Sequence, residues 1–269
     1  MKLRVLVDNN TLINEYYLGE PGVSYYIEDD DKTLLLDTGY SDIFLRNAEA
    51  MSIDINKVDF FAFSHGHDDH TRGIKYLFDK LDMSGKAIVA HPDTFLPKKD
   101  HSGLYNGTPL TYDELKDKCK LMLTREPVQL SSHITFLGQI PRVCEFEGRR
   151  PYGLYYNGHS WAEDYMEDDT ALVYHCSQGI FIITGCSHSG ICNIVEHAKK
   201  VCNDYRVLGI IGGFHLLQQS EKTDKTIEYL AENHIQHLYP CHCISLKIKG
   251  QMMNRMEINE VGVGMEINI

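Results

Sequence analysis

No stretch of this 269-residue chain approaches the roughly 20 consecutive apolar residues that cross a bilayer, so no membrane-spanning helix is expected. Basic residues are scarce. Lys and Arg number 26 against 38 Asp and Glu, and the formal charge of -12 argues against a long nucleic-acid backbone as partner. Low-complexity tracts, Pro/Gly/Ser linkers and short-period repeats are also missing, so residues 1–269 read as one domain. The opening Met1-Lys2-Leu3-Arg4-Val5 is too short and too charged for a signal peptide, and the eight cysteines lack the spacing of a small disulfide scaffold. Reduced thiols in a cytoplasmic protein are the expectation. Nothing in the sequence specifies an oligomeric state.

What is present is an ordinary globular balance, 43% apolar and 24% charged. Short apolar runs at Leu3–Val7, Val23–Ile27 and Thr33–Leu36, divided by turn residues, predict three sequential strands. A helix through Phe44 to Met51, a strand at Val58–Phe63, a helix carrying Ile74, Leu77, Phe78 and Leu81 on one face, and a strand at Ala87–Ala90 follow. Strands alternating with helices define an α/β protein. The polar stretch from Pro97, extending to about 165, reads as an inserted, lid-like excursion. Further strands are predicted at His133–Leu137, Ala171–His175, Ile180–Thr184, Val207–Ile211 and Ile235–Tyr239, with helices near Asn193–Val201 and Thr223–Asn233.

The chemistry concentrates in Ser64-His65-Gly66-His67-Asp68-Asp69-His70, at the end of the Val58–Phe63 run. A loop fixed by a strand end can turn several donors to one point without ordering each separately. Imidazole and carboxylate together suit zinc first, with manganese or iron as alternatives, as one ion or two. His65, His67, Asp69 and His70 are the candidate ligands.

This His-x-His-x-Asp-His loop, with Asp37-Thr38-Gly39 upstream, resembles the metallo-β-lactamase superfamily. That resemblance implies a four-layer αββα sandwich, with His65 and His67 serving one metal and Asp69 and His70 a second. Thr184-Gly185-Cys186-Ser187-His188-Ser189-Gly190-Ile191, Gly212-Gly213-Phe214-His215-Leu216, Ile140-Pro141-Arg142 and Pro240-Cys241-His242-Cys243 are similar to the dihydropterin synthase-like subgroup, whose members include a methanopterin-pathway enzyme.

The remaining stations depart from the superfamily pattern. Thr184-Gly185-Cys186 stands where a bridging aspartate is common; Cys186 or His188 could replace it, and the resemblance favours His188. His242 matches the last histidine of the second metal. For the third histidine of the first metal, His159 and His91 compete. His215, after two glycines, suits protonation of a leaving group or a grip on phosphate, with metal ligation as the other option. Cys241 and Cys243 are expected to pack away from His242 by strand alternation. Aromatics from Tyr105 to Tyr165, Tyr152 and Trp161 among them, could wall a pocket, and Arg142, Arg149 and Arg150 could clamp an anion.

The favoured expectation is a hydrolase using a metal-activated water, with Asp69 orienting that water, on a small anionic phosphoester or phosphodiester. The alternatives are a pterin-diphosphate transferase or synthase, as the subgroup implies, and an iron-binding redox or sensor protein.

Overall fold

Along Lys32–Leu36, Leu34 and Leu36 enter one apolar core while Leu35 enters another. In Gly179–Thr184, Phe181 and Ile183 join the first of these cores, and Ile180 and Ile182 join a third. A strand's two faces point in opposite directions, so three cores stacked this way require four layers.

The computed structural model describes residues 1–269. The first half runs β1 (Lys2–Val7), β2 (Ser24–Asp29), β3 (Lys32–Leu36), α1 (Ile43–Ala50), β4 (Phe60–Ala62), α2 (Asp68–Thr71), α3 (Ile74–Lys80) and β5 (Ala87–Ala90). The middle carries β6 (Lys98–Lys99), α4 (Tyr112–Leu115), β7 (Lys120–Leu123), β8 (Val128–Gln129), β9 (Ile134–Phe136), β10 (Gly153–Tyr156) and β11 (Trp161–Asp164). The rest is β12 (Ala171–Cys176), β13 (Gly179–Thr184), α5 (Ile191–Cys202), β14 (Val207–Gly212), α6 (Glu221–Glu232), β15 (His237–Pro240), α7 (Leu246–Met253) and β16 (Glu266–Asn268).

A seven-stranded sheet has the order β16-β1-β2-β3-β4-β5-β7, and a six-stranded sheet the order β15-β14-β13-β12-β9-β8. Their facing sides share the core containing Leu3, Tyr25, Phe136, Leu172 and Ile183. Helices α1 and α3 cover the outside of the first sheet, and α5, α6 and α7 that of the second. The predicted αββα sandwich is the observed fold.

The stretch 97–165 is not a single excursion. Its β7 completes the seven-stranded sheet and β8 and β9 the six-stranded one, while β11-β10-β6 form a separate three-stranded sheet. Neither β7 nor the β10–β11 hairpin is legible in the sequence, because their residues are largely half-exposed and lack a clean apolar alternation. The same holds for α7 and β16.

Strands β3, β4, β5 and β7 run parallel, as do β13, β14 and β15. Ligand-binding loops gather at the carboxyl ends of such strands, and here those ends deliver Asp37, Ser64, Cys186, His215 and His242. The two sheets meet closely at this edge. A Cβ on Gly185 would lie 2.1 Å from Ser64 Oγ and 2.7 Å from Ser64 Cβ. Gly185→Ala is therefore expected to cost about 1–3 kcal/mol through overpacking, read as a lower Tm by calorimetry; an unchanged Tm would show that the two loops are not held this tightly.

Candidate metal centre

Four residues other than glycine take left-handed backbone at this edge: Asp37, Ser187, His215 and His242, with φ of 59°, 57°, 48° and 52°. Such conformations cost free energy and persist where the surroundings enforce them, commonly at functional sites. Each turns the chain sharply just beyond a strand, which aims the neighbouring side chains inward.

Two donor groups result, each with its candidate ligand atoms within 4.8 Å of one another. The first is His65, His67 and His188; the second is Asp69, His70, Cys186 and His242. In the first, ring centroids lie 4.9 Å apart for His65–His67, and 4.8 Å for each of these with His188. In the second, Asp69 Oδ2 is 3.2 Å from His242 Nε2 and 3.6 Å from His70 Nε2, and Cys186 Sγ is 3.2 Å from His70 Nε2. His65 and His70 join the groups, their centroids 4.2 Å apart.

Outer hydrogen bonds fix which nitrogen faces inward. Asp37 Oδ2 accepts from Ser64 Oγ at 2.6 Å and from His70 Nδ1 at 2.7 Å, and Asp37 Oδ1 accepts from Ser64 N at 2.7 Å. With its proton committed to Asp37, Ser64 Oγ accepts from His65 Nδ1 at 2.9 Å. His242 Nδ1 donates to Asn9 Oδ1 at 2.8 Å, and its backbone N–H to Asp8 Oδ2 at 3.1 Å. So His65, His70 and His242 all present Nε2 to the interior, the arrangement in which second partners orient metal-binding imidazoles.

Two adjacent acids anchor the loops themselves. Asp168 Oδ2 accepts from Gly66 N at 2.7 Å and its Oδ1 from Lys98 Nζ at 2.9 Å; Lys98 also donates to Asp164 at 2.6 Å. Asp169 Oδ2 accepts from Ser189 N at 2.9 Å, holding the loop that carries His188.

The donor set fits a divalent cation. His65 Nε2 and both ring nitrogens of His188 are buried without any hydrogen-bond partner, which is costly unless an ion satisfies them. Burial holds His67 down at about 4 and His65 and His188 well below their usual value, leaving all three as neutral donors at pH 7. In the second group burial opposes charge on His70, yet the Asp69 and Asp37 carboxylates prevail and raise it to about 9. Asp69, for all its burial, is held well below the usual carboxylate range by His70 and His242. Burial pushes the Cys186 thiol well up.

His188, predicted in place of the bridging aspartate, instead completes a triad with His65 and His67, and Cys186 reaches the second group. Neither competitor for the third histidine joins: His159 is exposed in the β10–β11 turn, and His91 is buried, accepting from Asp93 N at 3.1 Å. His215 lies against His188 at 4.4 Å, outside both groups; burial and Lys222 hold it at about 4. Tyr152 touches His188 and His215, at 4.5 and 4.9 Å, whereas Tyr156 and Tyr105 pack on Trp161 instead. Because His242 turns at positive φ, strand alternation ends there: Cys241 packs beside Tyr25 in the core, and Cys243 Sγ donates to Cys186 O at 3.4 Å. Arg142 is absorbed by the backbone carbonyls of Gly148, Tyr165 and Met166 and by Glu167. Asp8, Asn9, Asp168 and Lys98 were not singled out from the sequence; Asp8 and Asn9 share one readable signal, polar residues just past an apolar strand.

A two-sheet sandwich with clustered imidazole, carboxylate and thiol donors at its strand ends defines a metalloprotein class that binds divalent ions. Residues 18–160 match the family model of the metallo-beta-lactamase superfamily. An uncharacterized protein of Methanocaldococcus jannaschii is 31% identical over 263 residues, spanning 97% of this chain and 98% of its own. The chain belongs to the metallo-beta-lactamase superfamily. It is also 29% identical over 273 residues to 7,8-dihydropterin-6-methyl-4-(beta-D-ribofuranosyl)-aminobenzene-5'-phosphate synthase of the same organism, covering 96% of this chain and 92% of that one. The crystal structure of a metal-dependent hydrolase of the beta-lactamase superfamily superposes with a TM-score of 0.86 at 27% identity, over 100% of this chain and 99% of that one.

Asp37→Asn keeps the shape but removes the charge that His70 donates to; zinc affinity at the second group should fall about 10- to 100-fold, measured by competition with a chromophoric chelator. An unchanged affinity would remove Asp37 from the orienting role. Because His70 is doubly protonated in the metal-free chain up to about pH 9 and Cys186 is a thiol, filling that group at pH 7 should release two protons, whereas filling the His65, His67 and His188 group should release none. Zinc titration calorimetry in buffers of different ionisation enthalpy reads the difference, and equal release from both would contradict it.

Proposed function

We propose that the chain is a hydrolase of small anionic phosphoesters or phosphodiesters, working with two divalent ions. The observation that carries this reading is the pair of joined donor groups with their inward nitrogens preset. His65, His67 and His188 would hold one ion and Asp69, His70, Cys186 and His242 the other, zinc being the first choice by donor chemistry and manganese or iron the alternatives. Such ions supply Lewis-acid polarisation of a phosphoryl oxygen and acidify a water.

The protein's own groups divide the remaining work. Asp69, kept ionised, can accept a hydrogen bond from the attacking water and set its direction. His215, neutral and packed on His188, is assigned to the leaving-group side, where it grips phosphate or passes a proton. Tyr152 closes the side between these rings and limits water. A small anionic substrate is drawn to this edge despite the acidic surface, because bound cations dominate the local field.

The second reading, a synthase acting on a pterin diphosphate, is supported by the 29% identity, over 96% of the chain, to the 7,8-dihydropterin-6-methyl-4-(beta-D-ribofuranosyl)-aminobenzene-5'-phosphate synthase of M. jannaschii. Incubating the protein with a pterin diphosphate and, separately, with bis(p-nitrophenyl) phosphate separates the two readings. For the hydrolase reading, His67→Ala should lose metal by elemental analysis and drop phosphodiester hydrolysis below detection. Full activity in that variant would end the proposal.

A further inference from the structure

Beside the metal centre lies a cavity of about 500 Å³, of the size that small ligands occupy. Arg149, Arg150, Lys222 and Lys225 line it against two carboxylates, Glu145 and Glu221, in a chain whose net charge is -12. Lys225 is paired with Glu221 at 2.7 Å. Arg150 and Lys222 form no ion pair, and Arg149 donates only to the Arg142 carbonyl, at 3.3 Å. The nearby buried Glu147 is committed elsewhere: Oε2 accepts from Cys192 N at 2.9 Å and Oε1 from Thr226 Oγ1 at 2.9 Å. Cations without an acidic partner in one concavity of an acidic protein set up a local positive field that favours an anionic ligand.

Tyr152 is shared by the cavity and the metal centre, since its ring also meets His188 and His215. Lys222, which also lines the cavity, is near enough to depress both histidines. Tyr152 therefore borders both the cation-lined cavity and the donor group that holds His188, and Phe146 adds a second apolar wall.

We infer that Arg149, Arg150 and Lys222 form a subsite for a phosphate monoester carried by the substrate, next to the metal centre and bordered by Tyr152. Three cations from two separate segments match a dianion better than a single carboxylate, and the arginines can hold phosphate oxygens in pairs. This rests on the hydrolase reading only for the word substrate; the anion site itself does not.

The test follows phenyl phosphate by calorimetry on the metal-loaded full chain, where the ester also meets the metal centre, and reads the binding equivalent that persists in His67→Ala. Arg150→Ala/Lys222→Ala should weaken phenyl phosphate binding about tenfold or more, and Lys222→Gln alone should weaken it in the same direction. His67→Ala, which removes the metal centre as a competing phosphoester site, should retain the equivalent of phenyl phosphate held by these cations, with an affinity within about twofold of the wild type. No binding to the wild-type chain, or binding lost in His67→Ala and retained in the double variant, would overturn the subsite. Inorganic phosphate binding as tightly as phenyl phosphate would overturn its assignment to an ester. Loss of metal dependence in the hydrolysis assay with the phosphate site intact would instead sink the hydrolase reading alone.

Discussion

A single buried carboxylate sets the geometry of both donor groups. Asp37, fully buried, receives three hydrogen bonds, two from Ser64 and one from His70. Through Ser64 Oγ its influence passes to His65 in the first group, and directly to His70 in the second. A carboxylate at this depth without donors would be destabilising by several kcal/mol in rough terms, so histidines, serine and aspartate specify one another. The left-handed turn at Asp37 itself places the carboxylate where all three donors reach it.

Much of this was readable in advance, and the reason differs by element. Strands such as Ala87–Ala90 and Gly179–Thr184 are continuous apolar runs because both faces are covered by packed layers, and such runs stand out from their surroundings. The His65–His70 loop is compact in sequence, so its chemistry is visible without a fold. By contrast, α7 carries Ile248 and Met252 inward between lysines and a glycine, too sparse a stripe to recognise.

The assignment of donors to groups was harder, for a geometric reason. Cys186 and His188 are two residues apart, and an extended chain would send both to the same side. The left-handed Ser187 between them turns the chain, and the two side chains enter different groups. The same difficulty hid Asp8 and Asn9, which lie more than 230 positions from His242 and meet it through packing alone. Contacts of that range depend on how the sheets assemble, which local periodicity does not encode.

Lys98 has a consequence for how the molecule can be rebuilt. Its ammonium, almost fully buried, lies between Asp164 of the small sheet and Asp168, whose other oxygen holds the Gly66 amide. The β6-β10-β11 sheet therefore does not behave as an interchangeable cassette. Exchanging it for a foreign hairpin would strip the ammonium from Asp168 and loosen the peptide between His65 and His67. A replacement there would have to keep this one lysine and its aspartates in register.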